Sequence, residues 1–182
     1  MTDTDTDATT GPIKFMQQVI SLDYAIHTAP VSREFGRNMA AGRITGHKCP
    51  ECGRVYVPPK GFCPICVVET SQADEVEVAD RGVVTSWTVL TPIQYHGQKE
   101  RDDYALASIL LDGASGTIGQ QRLLDVPLEK IRMGMRVAAV WAPEDERGDD
   151  DSRGWGFGSA ITGFQATGEP DAGPEVYEGH EL

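Results

Sequence analysis

The chain begins with a polar segment and then shows apolar residues at a helical period. Residues 1–12 are polar and acidic, which predicts a disordered leader. A first helix face is predicted from apolar residues spaced by four, three and four positions: Phe15, Val19, Leu22 and Ile26. Pro30 ends that pattern, and a second short helix follows, with Ser32 as its expected N-cap and Gly42 as its expected end. Residues 13–42 are therefore predicted to hold a helix or a helix pair.

Beyond residue 70 the sequence is rich in Val, Thr and aromatic residues in short runs, which favours strands. Five strands are predicted, within residues 75–95, 104–116, 117–125, 137–143 and 155–168. The first is expected to bend or bulge at Gly82, which lies inside it. One helical turn is predicted to begin at Pro127, after the third strand. Residues 167–182 lack periodicity and predict an acidic disordered tail.

This order of elements predicts a mainly β protein. Five strands with a small helix after the third is the order of an OB-fold barrel, and another small antiparallel barrel or sandwich is the alternative. The predicted barrel spans residues 71–166. A separate segment, residues 43–70, precedes it and contains every cysteine of the chain.

The four cysteines form two Cys-x-x-Cys pairs with ten residues between them. The pairs are Cys49 with Cys52 and Cys63 with Cys66. A two-residue gap lets both thiolates of a pair reach one ion about 2.3 Å away, so two pairs complete a tetrahedral zinc site. No ligand position is then left for water or substrate. The pattern therefore predicts a structural zinc site with four thiolate ligands.

Other roles of cysteine fit this pattern less well. Disulfides are rare in cytoplasmic proteins, and a redox Cys-x-x-Cys motif would need βαβ surroundings that the sequence lacks. Iron in the same four-thiolate cage stays open beside zinc. His47 lies two residues before Cys49, but four cysteines already fill the site, so it is not expected to be a ligand.

The net charge of −12 is concentrated outside the predicted folded body. Residues 1–12, 144–153 and 167–182 hold half of the 28 acidic residues, and the rest of the chain is electrically neutral. A neutral body matches a nucleic-acid backbone poorly, whereas a CoA ester needs only a few local bases. The polar N-terminus is unlike a secretory signal and no apolar run of about 18 residues occurs, so a cytoplasmic protein without membrane contact is expected.

Candidate catalytic and ligand-binding residues are few. The sequence has no nucleophile-elbow, phosphate-loop or dinucleotide-binding motif. His96, in a polar loop, is a candidate acid or base, although an exposed loop histidine is ordinary. Solvated surface charge is the simpler explanation of the basic residues. Those that an anionic ligand such as a CoA thioester would attract are Lys60, Lys99, Arg101, Arg122 and Arg132.

Five stretches occur together between Ser32 and Phe164: SREFGRNMAAGRI, CPECGRVYVPPKGFCPIC, GVVTSWTVL, ALASILLDG and MGMRV. In this order they resemble the acyl-CoA-associated proteins built from a rubredoxin-like zinc ribbon and an OB fold, long catalogued as a domain of unknown function. Lys60 departs from that family, in which an arginine is usual. Val67 departs as well, because a glycine usually follows the fourth cysteine, so the second cysteine turn is expected to be less regular.

The resemblance implies a role beside another enzyme. Such proteins work with a thiolase-fold partner: a thiolase, a hydroxymethylglutaryl-CoA synthase or an aldolase that cleaves a steroid side-chain CoA thioester. The implied function is a non-catalytic accessory subunit in a hetero-oligomer, which stabilises the partner or shapes its acyl-CoA site. The family offers no settled catalytic residues. Candidates for the partner interface are Phe35, Tyr56, Val57, Phe62 and Trp87.

Two other functions stay open from the residues themselves. A stand-alone hydrolase or lyase of CoA esters would use His96 or the acidic loop residues in catalysis. A nucleic-acid-binding module fits the fold, because OB barrels serve that role, but the neutral body argues against it.

Overall fold

The structure, a computed structural model, describes residues 18, 20–22, 27–92, 102–147 and 160–180. Strands dominate it, in a three-stranded sheet and a closed five-stranded barrel, so the mainly β fold with a five-stranded barrel is confirmed. The strands are β1 (Ile44–Lys48), β2 (Val55–Tyr56), β3 (Glu75–Val78), β4 (Arg81–Leu90), β5 (Tyr104–Leu111), β6 (Ile118–Leu124), β7 (Arg136–Trp141) and β8 (Ile161–Ala166). Two α-helices lie wholly within the described ranges, α1 (Pro30–Ala40) and α2 (Pro174–Tyr177).

Helix α1 begins at Pro30 and contacts β1. Proline suits the first helical position because an N–H there would have no partner within the helix. Ala29 is the N-cap, so the prediction that Ser32 caps the helix is wrong. Gly42 has a φ of +75°, and its N–H donates to the Met39 carbonyl at 2.9 Å, which confirms this glycine as the helix end.

The helix predicted before Pro30 falls mainly outside the described residues, since Phe15, Val19 and Ile26 are not among them. Leu22 is described and is 77% exposed, and residues 20–22 and 27–29 are not helical. No helix within the described ranges has the length and apolar character needed to cross a bilayer.

The three-stranded sheet has the order β2–β1–β3, with both outer strands antiparallel to β1. The pairing of β1 with β3 runs from Ile44 opposite Val78 to His47 opposite Glu75. The chain leaves this sheet at residues 79–80 and enters the barrel with β4. The prediction of one strand bent at Gly82 is therefore wrong. The strand-like composition continues across the break, but its two halves pair in different sheets.

The barrel closes in the order β4–β5–β6–β8–β7, with β7 returning to β4. Only the β6–β8 pair is parallel among these described strands. A bulge between Val84 and Ser86 bends β4. Gly82 lies so close to Leu110 that a Cβ atom would overlap the Leu110 carbonyl oxygen. A single 3-10 turn, Leu128–Lys130, follows β6 as predicted, which completes the OB-like arrangement.

One apolar core runs through the three-stranded sheet and the barrel. Its largest fully buried side chains include Met39, Ile44, Ile109, Ile118 and Phe164. Two reciprocal hydrogen bonds join β2 to the turn before β6. The N–H of Val55 donates to Ser115 Oγ at 3.0 Å, and the N–H of Ser115 donates to the Val55 carbonyl at 2.8 Å. The three-stranded sheet is thus fixed against the barrel.

The C-terminal segment packs on the barrel, so the prediction of a disordered tail is wrong for the described residues 167–180. The N–H of Ala172 donates to the Gly134 carbonyl at 2.8 Å. Asp171 accepts two hydrogen bonds from Arg132, at 2.5 and 2.8 Å. These are polar contacts, which an analysis of apolar periodicity does not detect.

A candidate four-cysteine metal centre

The four cysteines converge where the β1–β2 turn meets residues 62–68. Their Sγ atoms all lie within 4.8 Å of one another, and those of Cys52 and Cys63 are 3.7 Å apart. Four sulfurs at 2.3 Å from a tetrahedral zinc ion would lie about 3.8 Å from one another, so the cluster has the size of such a site. Cys49 and Cys63 are buried, Cys66 is half-buried and Cys52 is exposed.

The first cysteine pair lies in a tight turn, residues 48–54, which we call the first knuckle. The N–H of Gly53 donates to the Cys49 carbonyl at 2.9 Å, and the N–H of Cys49 donates to the Arg54 carbonyl at 2.8 Å. The N–H of Cys52 points at Cys49 Sγ from 3.5 Å. The backbone therefore aims a hydrogen-bond donor at the sulfur that it positions.

The second cysteine pair lies in an equivalent turn, residues 62–68, which we call the second knuckle. The N–H of Val67 donates to the Cys63 carbonyl at 2.9 Å, and the N–H of Cys63 donates to the Val68 carbonyl at 2.8 Å. The N–H of Cys66 points at Cys63 Sγ from 3.5 Å. All three distances equal those of the first knuckle.

Val67 takes the backbone conformation that glycine takes in the first knuckle. Its φ is +57°, and that of Gly53 is +71°. A β-branched residue in this left-handed region costs roughly 1–2 kcal/mol. The prediction that the second knuckle is less regular is therefore wrong. The turn keeps its geometry, and the valine bears the strain.

A central cation is needed to hold all four sulfurs as thiolates. The N–H of Cys66 stabilises the negative charge on its neighbour and lowers the pKa of the Cys63 thiol to about 7. The Cys52 sulfur accepts a hydrogen bond from the Cys66 thiol, which raises the pKa of Cys66 to about 12. A divalent ion at the centre would offset this resistance to deprotonation. Zinc on four thiolates fits the donor set, and its role there would be structural.

His47 is held inside the three-stranded sheet, beside the metal centre. It is 6% exposed, and its Nδ1 lies 3.1 Å from Thr70 Oγ1. Burial lowers the pKa of His47, against the opposing influence of Glu75 and Asp74. Its burial and its contact with Thr70 are therefore enough to explain the position of His47, without a role as a metal ligand.

The predicted interface residues differ in burial and fall into three groups. Phe35 and Val57 are 2% and 5% exposed in the core, so the prediction that they contact a partner is wrong. Tyr56 is half-buried, and its ring lies beside Gly116. Phe62 and Trp87 are 49% and 40% exposed, which leaves both as interface candidates.

Three of the predicted chemical residues lie outside the described residues: His96, Lys99 and Arg101. Of the others, Lys60 is exposed, whereas Arg132 is engaged with Asp171. The guanidinium of Arg122 lies 4.6 Å from the centre of the Tyr104 ring. The side chains of Arg122 and Tyr104 line an open cleft of about 520 Å³ beside β6.

The second knuckle also carries an apolar surface, of which the sequence analysis named only Phe62. Ile65 and Val67 are 62% and 80% exposed, next to Phe62. The corresponding residues of the first knuckle are Glu51, Gly53 and Lys48. Aligning the two cysteine pairs with each other would have shown this contrast before the structure.

Family models match both parts of the molecule. The rubredoxin-like zinc ribbon domain of ChsH2 matches residues 40–69, and the C-terminal OB-fold domain of ChsH2 matches residues 75–142. The first match contains the four clustered cysteines, and the second covers most of the barrel. The predicted zinc ribbon followed by an OB fold is therefore confirmed.

Curated relatives match over a similar length. A DUF35 domain-containing scaffold protein of Methanocaldococcus jannaschii is 30% identical over 114 residues, which cover 63% of this chain and 78% of the relative. A second DUF35 domain-containing scaffold protein, from Methanothermobacter thermautotrophicus, is 28% identical over 115 residues, covering 63% and 83%.

Two solved structures share the fold. A DUF35-family protein of unknown function from Sulfolobus solfataricus has a TM-score of 0.50 and 23% identity, over 62% of this chain and 79% of that one. A chain of the Ltp2–ChsH2(DUF35) aldolase has a TM-score of 0.54 and 19% identity, over 76% and 96%. With its paired knuckles, its barrel and these relatives, the chain belongs to the DUF35 family.

Proposed function

We propose that the chain is a non-catalytic accessory subunit of a thiolase-fold acyl-CoA enzyme, of the thiolase or steroid side-chain aldolase type, in lipid metabolism. It would stabilise that enzyme and help to shape its acyl-CoA site. The observation that carries the proposal is the 30% identity to a scaffold protein over 78% of that relative's length. The shared fold with a chain of the Ltp2–ChsH2(DUF35) aldolase supports the choice of partner.

The chemistry of the metal centre supports a structural role. Four cysteines fill the positions of a tetrahedral ion, so none is left for a substrate or a reactive water. Such an ion contributes folding free energy and fixes the shape of the surface around it. A rigid surface suits a protein that acts by holding another one, because less side-chain freedom is lost on binding.

Acyl-CoA contact is the finer part of the proposal. The cleft beside β6 offers the guanidinium of Arg122 and the ring of Tyr104, which suit a phosphate and an adenine respectively. Arg132 would first have to leave Asp171, since the two form a bidentate pair. Arg122 is the candidate for contact with CoA in this cleft, because it lines the cleft together with Tyr104.

Co-expression tests the accessory role. The chain would be produced untagged together with a tagged thiolase-fold protein of its native host. We expect the two to purify together in a fixed ratio through size-exclusion chromatography, and the enzyme to lose activity faster on storage without the chain. A stable chain that leaves the enzyme during purification, with no change in enzyme lifetime, would contradict the proposal.

Kinetics of the assembled enzyme test the acyl-CoA contact. Arg122→Ala should raise KM for the acyl-CoA severalfold with little change in kcat, because a binding contact and no reacting group is lost. Arg54→Ala, an exposed arginine on the first knuckle, is the matched control and should leave both constants unchanged. An unchanged KM for Arg122→Ala would remove this part of the proposal and leave the accessory role intact.

A further inference from the structure

The two knuckles provide an internal control within one molecule. Both hold two sulfurs with the same backbone hydrogen bonds, and both place one residue in the left-handed region. Their other side chains are therefore compared on equal backbones. Aligning the cysteines of the two knuckles gives four equivalent positions. The first knuckle has Lys48, Glu51, Gly53 and Arg54 where the second has Phe62, Ile65, Val67 and Val68.

Every one of these positions is charged or glycine in the first knuckle and apolar in the second. Lys48, Glu51 and Gly53 are exposed and support the same turn, so holding the metal does not require apolar side chains there. The apolar character of the second knuckle must therefore serve something other than the ion.

The apolar side chains of the second knuckle are left in solvent. Among the residues that the structure describes, eight large apolar side chains are exposed, and three of them are Phe62, Ile65 and Val67. The hydrogen bond from the Cys63 N–H to the Val68 carbonyl and the bridge between Phe62 and Glu69 place all three residues in one tight turn. Clustering of this kind marks a surface that another molecule covers.

Val67 adds a second observation to the patch. Its backbone has a left-handed conformation, which glycine adopts without strain and which Gly53 has in the first knuckle. Val67 nevertheless carries a β-branched side chain that is 80% exposed. That side chain strains the turn and gains little burial in return. Strained positions of this kind concentrate at sites of function, where a partner compensates for the strain.

We propose that the second knuckle is the anchor by which the chain docks on its enzyme subunit, with Phe62, Ile65 and Val67 entering an apolar recess on that subunit. The proposal rests on the accessory function proposed above and deepens it by naming the surface. The three side chains present on the order of 300 Å² of apolar surface, against the roughly 800 Å² that each partner buries in a stable complex. The patch is therefore the apolar centre of a larger contact with a polar rim.

The charge of the chain favours a different polypeptide over a second copy. Each chain carries a net charge of −12, so two copies repel one another at long range. An apolar centre that is smaller than a full interface does not overcome that repulsion alone. The fitting partner is therefore a neutral or basic protein with a recess lined by apolar side chains.

The first knuckle supplies the substitutions that test this docking surface. The triple variant Phe62→Lys, Ile65→Glu, Val67→Gly gives the second knuckle the residues that the first already carries. Metal content and melting temperature should be retained, whereas affinity for the co-expressed thiolase-fold subunit should fall about 100-fold, as for loss of an interface hot spot. Binding would be measured by titration calorimetry with zinc-loaded chain. The reverse control is Lys48→Ala with Glu51→Ala, which should bind as the parent chain does.

The outcomes separate this inference from the proposed function. If the parent chain and the triple variant bind the subunit equally well, the docking surface is wrong and the accessory role stands. If the parent chain binds no such subunit, both fall. If the triple variant loses its metal, the single variant Ile65→Glu is measured in its place, because that side chain is exposed and is no metal ligand. Unchanged affinity of Ile65→Glu for the subunit would then overturn the docking surface.

Photocrosslinking gives an independent readout. A benzoylphenylalanine at position 65 should crosslink to the thiolase-fold subunit, identified by mass spectrometry, while the same probe at position 51 should not. A crosslink from position 65 to a second copy of the chain would overturn the proposal. So would crosslinks to the enzyme that arise only from position 51.

Discussion

The first and second knuckles have the same backbone and different surfaces. Each aims one N–H at a cysteine sulfur from 3.5 Å and closes its turn with the same two hydrogen bonds. One surface is charged and the other apolar. The difference teaches that the metal centre constrains the cysteines and the backbone but leaves the intervening side chains open to other uses.

The knuckles also differ in what supports them. The first leads into β2, which is tied to the barrel through Ser115. The second is followed by Thr70, whose N–H donates to the Gly61 carbonyl at 3.0 Å, and by an isolated bridge between Phe62 and Glu69. The first knuckle is thus connected to the barrel through β2. The second knuckle is held mainly by hydrogen bonds between residues close to it in sequence.

Loss of a buried cysteine should have the largest effect and should be equal in the two knuckles. We expect Cys49→Ser and Cys63→Ser each to abolish stoichiometric zinc and cooperative melting. A structural zinc contributes about 10–16 kcal/mol, which exceeds the stability of most small domains. Metal content by mass spectrometry and melting by circular dichroism would measure this. Glu51→Ala is the control, and native metal content and melting in either serine variant would contradict the expectation.

Exchange of the left-handed residues should have opposite effects in the two knuckles. Gly53→Val should lower the free energy of unfolding by about 1–2 kcal/mol, because it introduces the strain that Val67 bears. Val67→Gly should raise it by about 0.5–1 kcal/mol, since the flexibility of glycine in the unfolded chain offsets part of the relief. Denaturant titration of the zinc-loaded protein measures both.

The control for this pair is Ile65→Gly, at an exposed position of the same turn outside the left-handed region. It should be destabilising, because glycine there gains nothing in the folded state. Destabilisation by Val67→Gly would show that the valine is not strained, and would remove one of the two observations behind the docking surface.

Removal of the Ser115 hydroxyl should loosen the first knuckle more than the second. Ser115→Ala takes the acceptor from the N–H of Val55, a residue that is 9% exposed, at a cost of about 1 kcal/mol. Hydrogen exchange should accelerate at Val55 and stay unchanged at Val68. Equal acceleration at both amides would show that the two knuckles open together.

The exchanges with the smallest effect on stability are Glu51→Ile and Ile65→Glu. Both side chains are exposed and neither is a ligand, so the free energy of unfolding should change by less than about 0.5 kcal/mol. Fluorescence of a dye that binds apolar surface should rise with Glu51→Ile and fall with Ile65→Glu. A loss of more than about 1 kcal/mol in Ile65→Glu would mean that this side chain supports the turn.

The metal centre could be predicted because its constraint is local. Two-residue spacing within each pair determines which atoms meet one ion, and this geometry does not depend on the rest of the fold. The doubt about Val67 came from the same local reasoning. It failed because the closed turn imposes a backbone conformation that valine alone would avoid.

The misplaced residues have tertiary causes. Phe35 and Val57 look like surface candidates in a sequence, and only the packing of α1 and of the residue after β2 on the core shows that they are buried. The break at residues 79–80 lies within a strand-like stretch, because two sheets take consecutive strands from it. The C-terminal segment is held by an ion pair and a backbone bond, through Asp171 and Ala172, and neither leaves a periodic signal.

Strand β3 has a consequence for the way the molecule comes apart. It completes the sheet that carries the first knuckle, and the next strand after it opens the barrel. Loss of the ion would release the turn between β1 and β2, and β1 also pairs with β3, which leads directly into the barrel. Removal of the metal is therefore expected to lower the stability of the barrel as well as that of the knuckles, although the barrel holds none of the four cysteines.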